Sequence, residues 1–251
     1  MSGHSKWSTI KRKKGAADAK RGQVFTRLAR EISIAARAGG GDINSNFRLR
    51  IAVDKARGQN MPKDNIERAI QRGTGEGKEG GGLEEVMYEG YAPHGIALLM
   101  ECVTDNRNRA VAEIRHYLTR YGGSMGEAGS VSWQFKRVAY FSFPLDGRDP
   151  DQIFELAVEA GADDISFEDD YAEIIGEVDF FKEIIDRLNA AKIHPEEAEL
   201  RMIPTNEIEL GPEDTLQVMR LIEILEELDD IQNVYSNLHV SDEALAKLEA
   251  A

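Results

Sequence analysis

The chain has 251 residues, an apolar fraction of 41% and a formal net charge of −14, which allows one large domain or two to three small ones with real cores. A single cysteine, Cys102, excludes an intramolecular disulfide framework and a Cys-cluster zinc site, and suits a reducing, cytoplasmic location. The longest apolar run, Ile96–Met100, is far too short to span a bilayer, and the first residues lack the apolar stretch of a secretory signal, so no membrane contact is expected. The charge is split along the chain. From Lys6 to Arg72 there are 17 Lys and Arg against six acids, a net +11, and the rest of the chain is −25. A basic block of this kind seeks polyanions, and an acidic body is repelled by them. Nucleic acid is the expected partner, because a phosphate backbone rewards dense Lys and Arg whatever its base sequence.

The head carries Gly3-His4-Ser5-Lys6-Trp7, then Lys11-Arg12-Lys13-Lys14, then Lys20-Arg21. Flexible cations reach phosphates, while His4 and Trp7 can stack on unpaired bases or sugar. The plainer alternative is a solvated tail with Trp7 tucked onto a helical core. Val24, Leu28, Ile32 and Ala35 then recur with helical spacing, and Arg27, Arg30 and Arg37 fall on the opposite arc. Gly39-Gly40-Gly41 stops that helix. Asn44 or Ser45 is the expected cap of a second helix reaching about Arg57. Pro62 suits the first turn of a third, with Asp64 near its positive end and Gly73 just past its C-terminus.

Gly73–Gly82 reads as a flexible linker and coincides with the change of charge sign. Beyond it, strands and helices alternate. A strand is expected at Ile96–Val103, a helix at Arg107–Tyr121 and a strand at Ser130–Phe135. Ala139–Phe143, Pro150–Ala160, the hairpin Ile165–Asp169 with Glu173–Glu177, Phe180–Ala191 and Glu199–Ile203 then spell β-α-β-β-α-β, the ferredoxin-like order. A strand near Glu207–Leu210, a helix at Glu213–Leu228 and a strand at Val234–Val240 follow. Joined across the middle segment, the flanks spell the same order again. The expected fold class is therefore α+β: an N-terminal helical bundle over residues 1–75, an acidic α/β domain from 83–136 plus 206–245, and a ferredoxin-like α/β domain at 137–205 inserted into it. Val218, Leu221, Ile222, Leu225 and Leu228 make the core stripe of the helix at Glu213–Leu228. Glu223, Glu226, Glu227 and Asp230 read as its solvated acidic side.

Catalytic chemistry finds no foothold. His4, His94, His116, His194 and His239 show no metal-ligand spacing. Gly77-Lys78 is followed by Glu79 where a phosphate loop needs Ser or Thr, and no strand precedes it. No catalytic residue, metal, cofactor or small-molecule substrate is expected. Thr104-Asp105-Asn106-Arg107-Asn108-Arg109 is a strand-to-helix junction whose two arginines oppose the helix dipole. An external anion at Arg107 and Arg109 would relieve that conflict; alternatively, Asp105 or Asn106 caps the helix and the arginines pair with nearby acids. Trp133, Phe135, Tyr140, Phe141 and Phe143, with Lys136 and Arg137 among them, could form an RNA-reading sheet face, but alternating aromatics on strands are usually core.

Several ungapped motifs in order make the chain similar to the YebC/PmpR family, which includes the mitochondrial translational activator of cytochrome oxidase. They are Gly3-His4-Ser5-Lys6-Trp7, Asp18-Ala19-Lys20-Arg21-Gly22, Phe25, Arg30-Glu31-Ile32, Ala35-Ala36, Gly39-Gly40-Gly41-Asp42, Asn60-Met61-Pro62-Lys63-Asp64, Arg68-Ala69-Ile70, Tyr88-Glu89-Gly90-Tyr91, Thr104 to Arg109 and Ser130-Val131. Gln23 stands where the family usually has Lys, and Ala92 and His94 stand in a stretch that is usually Gly-rich. The resemblance implies a helical bundle and two α/β domains around a cleft, with no enzyme activity. It also implies either a DNA-binding transcriptional regulator or a factor that binds rRNA or tRNA on the ribosome and relieves stalled translation, for example at consecutive prolines. A third possibility is an interaction protein whose basic domain neutralises its own acidic cleft. The residues expected to contact nucleic acid are His4, Ser5, Lys6, Trp7, Lys11, Arg12, Lys13, Lys14, Lys20, Arg21, Arg27, Arg30, Arg107 and Arg109.

Replacing Lys11, Arg12, Lys13 and Lys14 with Ala should weaken binding to all sequences alike and flatten its salt dependence. Phosphate contacts position the protein without specifying a sequence. If the full protein contacts about six to ten phosphates, its affinity should fall roughly 10³–10⁵-fold between about 50 and 200 mM salt. A salt titration of both proteins on two unrelated DNA sequences checks this; a loss confined to one sequence would mean that the run reads bases.

Overall fold

The structure is a computed structural model and describes residues 18–75, 82–168 and 170–249. It divides into two compact units: Phe135–Ile203, and the chain on both sides of that segment. In chain order the elements are α1 (Asp18–Gly39), α2 (Phe47–Gly58), α3 (Lys63–Thr74), β1 (Glu84–Tyr91), β2 (Ala97–Thr104), α4 (Arg107–Arg120) and β3 (Ser124–Met125). The middle unit follows, with β4 (Phe135–Pro144), α5 (Pro150–Glu159), β5 (Ala162–Glu168), β6 (Tyr171–Gly176), α6 (Phe181–Ala190) and β7 (Glu197–Pro204). The first unit resumes with β8 (Ile208–Glu209), α7 (Pro212–Glu226), β9 (Ile231–Ser236), β10 (Leu238–His239) and α8 (Asp242–Glu249). Gln134 and Thr205, the ends that flank the middle segment, are tied together: the Gln134 carbonyl accepts the Thr205 N–H at 2.8 Å and its hydroxyl at 3.0 Å.

The three N-terminal helices share a small core of Leu28, Ile32 and Ala35 from α1, Leu49 and Val53 from α2, and Ile66 and Ala69 from α3. These are the positions that helical spacing assigns to one face. The cap of α2 is Asn46, not Asn44 or Ser45. Asn46 accepts the Leu49 N–H at 3.0 Å, and its amide donates to the carbonyls of Ala35 and Gly40 at 2.8 Å each, so one buried side chain closes two helix ends. Asn44 and Ser45 are held in the preceding turn by Asp42. Gly73 lies inside α3, which ends at Gly75 with φ +83°. A Cβ on Gly73 would meet the Ser33 carbonyl oxygen at 2.3 Å, so this glycine sets the approach of α3 to α1.

In the body of the same unit, β3-β1-β2-β9 form one sheet, with antiparallel pairing at each step. Leu98, Met100 and Cys102 of β2 pack with Ile114 and Leu118 of α4 and with Val218, Leu221, Ile222 and Leu225 of α7. Burial pushes the Cys102 thiol up to about 12, which keeps it protonated and unreactive. The hairpin β1–β2 turns through His94 and Gly95, both with positive φ (+64° and +79°). His94 thus takes a left-handed conformation that glycine adopts more easily. Three elements are not among those expected, β1, β3 and α8.

The outer strands differ from the order expected in the sequence. Ser130–Phe135 is not a strand of this sheet; residues 132–134 make a short 3₁₀ turn. The reason lies with Glu89, which is 8% exposed. Its carboxylate accepts the backbone N–H groups of Gly129 (2.7 Å), Val131 (2.6 Å) and Ser132 (2.9 Å), so donors that a strand would give to a neighbour go to a side chain. Ile208–Glu209 likewise stands outside the main sheet and pairs in parallel with Leu238–His239.

The middle unit has its own four-stranded sheet in the order β5-β6-β4-β7, with β6 antiparallel to both β4 and β5. Tyr140, Phe141 and Phe143 are buried, and Phe141 stacks at a tilt on Phe181 of α6 with ring centroids 4.8 Å apart. Arg201 of β7 lies over the Tyr140 ring at 3.8 Å and bonds to Glu197 (3.0 Å) and Glu199 (2.7 Å). Although burial opposes it, those carboxylates and Tyr140 hold its guanidinium firmly charged.

Burial alone would raise the Glu89 carboxyl, but its three backbone donors outweigh that and hold it below the ordinary glutamate value of 4.5. The resulting stabilisation is fully present above that value and lost as pH falls through the lower folded value. Glu89→Gln should therefore cost about 2 kcal/mol near neutrality, since an amide N–H₂ would oppose a backbone donor. Urea unfolding of both proteins from neutral to acid pH should show the difference shrinking below about 4.5.

Candidate nucleic-acid interface

His4, Ser5, Lys6, Trp7 and the run Lys11, Arg12, Lys13, Lys14 lie outside the described residues. Lys20 and Arg21 fall in the first turn of α1. The remaining expected contacts are all described, and the structure brings two of them, Arg30 and Arg109, to one carboxylate.

That carboxylate is Asp230, just after the end of α7, with a side chain only 4% exposed. It was read as part of a solvated acidic side, but it is a hub. Arg30 of α1 approaches its Oδ1 at 3.1 Å. Arg109 of α4 approaches Oδ2 at 2.8 Å through Nη2 and at 3.2 Å through Nε. The Thr104 hydroxyl donates to Oδ2 at 3.0 Å. Arg30 also donates to the Asp229 carbonyl. Arg27, one turn earlier on α1, faces Glu226 and Asp229; burial pulls its guanidinium down, more than these acids raise it. The arginine arc of α1 therefore meets the body, and the N-terminal helices are fastened by the charges that were expected to face outward.

The α4 junction resolves its own conflict. Asn106 caps the helix, accepting the Arg109 N–H at 3.1 Å. Arg107 pairs with Glu84, and Arg109 adds Asp105 at 2.8 Å to its bonds with Asp230. Bonds to Asp230 first, then to Asp105, raise Arg109 above its ordinary value. Carboxylates from β1, from the junction itself and from just after α7 thus supply negative charge at this helix start, as the alternative of pairing with nearby acids expects.

More polar contacts extend the same seam. Arg37 donates to the Leu83 carbonyl at 2.6 Å and Arg48 pairs with Glu85, while Lys55 of α2 lies 3.7 Å from Glu31 of α1 within the helices themselves. Glu101, on the face of β2 opposite Cys102, accepts from Asn233 at 2.8 Å and Tyr235 at 3.3 Å. Burial pushes its carboxyl up, and the charges of Glu85 and Glu31 add to that against the Asn233 bond.

Of the aromatics weighed as an RNA-reading face, Phe135, Tyr140, Phe141 and Phe143 are core, while Trp133 is 71% exposed and donates its indole N–H to the Ser130 carbonyl at 3.1 Å. Among the described residues, no group of three or more His, Cys, Asp or Glu could hold a metal ion, and no helix is long and apolar enough to cross a membrane. Asp230 and Glu84 escaped the sequence reading because nothing local marks a carboxylate that meets its partner 121 or 23 positions away.

Arg109 and Arg107 should separate cleanly on mutation. Arg109→Ala leaves a buried carboxylate short of its main partner and should cost about 2 kcal/mol of stability. Arg107→Ala breaks a largely exposed pair and should cost under about 1 kcal/mol. Thermal melting of the two variants beside the parent checks the order; equal losses would remove Asp230 as the fastening point.

Comparison with known proteins agrees along the whole length. The model of the TACO1/YebC protein N-terminal domain matches residues 5–76, and that of the TACO1/YebC second and third domain matches residues 83–238. A probable transcriptional regulatory protein of Acidithiobacillus ferrooxidans is 56% identical over 100% of this chain and 99% of its own. One from Borrelia turicatae is 53% identical over 97% of this chain and 99% of its own. The crystal structure of a conserved hypothetical protein from Aquifex aeolicus superposes with a TM-score of 0.83 at 39% identity, covering 91% of this chain and 94% of that one. With both domain models matched in order and relatives this similar from end to end, the chain belongs to the TACO1/YebC family.

Proposed function

We propose that this chain is a non-enzymatic, nucleic-acid-binding regulator of transcription that works in the cytoplasm without a cofactor or small-molecule substrate. The observation that carries the reading is the charge split, +11 between Lys6 and Arg72 against −25 elsewhere. The names of its relatives support a regulatory role. Residues 1–75 grip the phosphate backbone, chiefly through His4, Ser5, Lys6, Trp7, Lys11 to Lys14, Lys20 and Arg21. Arg30 and Arg109, which share Asp230, serve this grip indirectly by fastening α1 to the body, with Arg27 facing Glu226 and Asp229 on the same side and Arg107 held by Glu84. The acidic portion, 83–136 with 206–245, and the inserted ferredoxin-like portion, 137–205, carry the regulatory contacts and repel nucleic acid from the wrong face.

A second reading, an rRNA- or tRNA-binding translation factor, is favoured by one observation. Arg27 and Arg30 of α1 point into the body, whereas a groove-reading helix presents such side chains to base edges. Binding of the full protein to duplex DNA and to purified ribosomes, at equal salt, separates the two. Tight, saturable duplex binding with weak ribosome binding is the expected result. The reverse would make the ribosome the target, and binding to neither would remove the nucleic-acid reading.

A further inference from the structure

An open cavity of about 560 Å³ lies beside the Asp230 fastening, between α1, α3 and the end of β2. Its volume falls within the range that holds small organic ligands. Its lining is ordered by helix spacing. On α3, Asn65, Arg68 and Arg72 follow one another at i, i+3 and i+7 and form one polar side. On α1, Phe25 and Ala29 at i and i+4, with Met61 before α3, form an apolar side. Asp105 stands at the rim, already held by Arg109 at 2.8 Å. Arg30 also borders the cavity, but its guanidinium is given to Asp230.

The two sides call for one ligand. Arg68 bonds neutral oxygens of its own helix, the Asp64 carbonyl at 3.1 Å and the Asn65 amide oxygen at 2.8 Å. Two arginines one turn apart match the oxygens of a phosphate. Phe25 is only partly buried against the helical core, and an aromatic ring beside aliphatic side chains suits the face of a base. Asp105 and Asn65 offer acceptors to a ribose hydroxyl or an exocyclic amine. A base inside a duplex cannot present its face this way, because its neighbours in the stack cover it.

We propose that this cavity holds one unpaired nucleotide of a bound nucleic acid, its phosphate at Arg68 and Arg72 and its base against Phe25. This rests on the nucleic-acid reading given above and narrows its target to strands with a bulged, looped or single-stranded position. The basic run of residues 11–14 then supplies the general grip, and the cavity supplies a preference for local structure.

The test uses the full protein and labelled hairpins of RNA and of DNA, each made fully paired or with one bulged adenosine. Anisotropy at fixed salt should show the bulged hairpins binding about tenfold tighter than the paired ones. Phe25→Leu should erase most of that preference while paired hairpins bind nearly as before, and Arg68→Gln with Arg72→Gln should weaken bulged hairpins about tenfold more than paired ones. Melting curves on the same preparations confirm folding, and the wild-type comparison stands even if a variant is unstable. Equal, tight binding of bulged and paired hairpins by the wild type would overturn the cavity's role and leave the general nucleic-acid reading intact. So would a preference that survives both variants. Adenosine 5′-monophosphate binding as tightly as the bulged hairpin would also overturn it, since the ligand would then be a free nucleotide. No binding to any hairpin would remove both readings together.

Discussion

Asp230 is a carboxylate with almost no access to water, and its neighbours come from three distant parts of the chain: Arg30 from α1, Thr104 from the end of β2 and Arg109 from the start of α4. A charge buried in this way is costly alone, by several kcal/mol, and is tolerated only when its lone pairs are filled. Here they are filled by two guanidiniums and a hydroxyl. The N-terminal helices, the sheet and α4 are therefore obliged to meet at one point. The contacts farther along the seam, Arg37 with the Leu83 carbonyl and Arg48 with Glu85, are more exposed and contribute less. They extend an orientation that the buried hub sets.

Much of the architecture was legible because helical periodicity survives in a single sequence. The stripe of Leu28, Ile32 and Ala35, and that of Val218, Leu221, Ile222 and Leu225, ended up buried as their spacing requires. The strand β1 was not legible, since its burial pattern keeps only Glu89 and Gly90 from solvent and shows no apolar alternation. Its place is set by backbone pairing with β2 along Glu84–Tyr91. Ser130–Phe135 misled in the opposite way. Val131, Trp133 and Phe135 alternate like a strand, yet three N–H groups of that stretch and the residue before it go to Glu89. A side chain forty positions back had claimed the hydrogen bonds that decide between strand and loop.

For the site, the cations were legible as charge and not as direction. Arg27, Arg30 and Arg109 read as surface positives because their acids, Glu226, Asp229 and Asp230, sit more than a hundred positions away. Arg68, part of the Arg68-Ala69-Ile70 motif, and Arg72 carry no local sign of a binding role in a block already rich in Lys and Arg, and only the neighbouring cavity sets them apart. His94 was visible as a departure from a glycine-rich turn, and its φ of +64° gives the physical reason glycine is usual there.

Glu101 gives the seam a proton ledger of its own. Its carboxyl is raised by burial and by Glu85 and Glu31, so bringing the N-terminal helices onto the sheet draws a proton toward it. Docking is most favoured below the ordinary glutamate value of 4.5 and weakens as pH rises through the folded one. The same shift records that Glu31, Glu85 and Glu101 lie close enough to feel one another. Arg48 and Lys55 stand among these carboxylates, Arg48 on Glu85 and Lys55 beside Glu31. The set of the helices on the sheet is, by that route, linked to proton uptake.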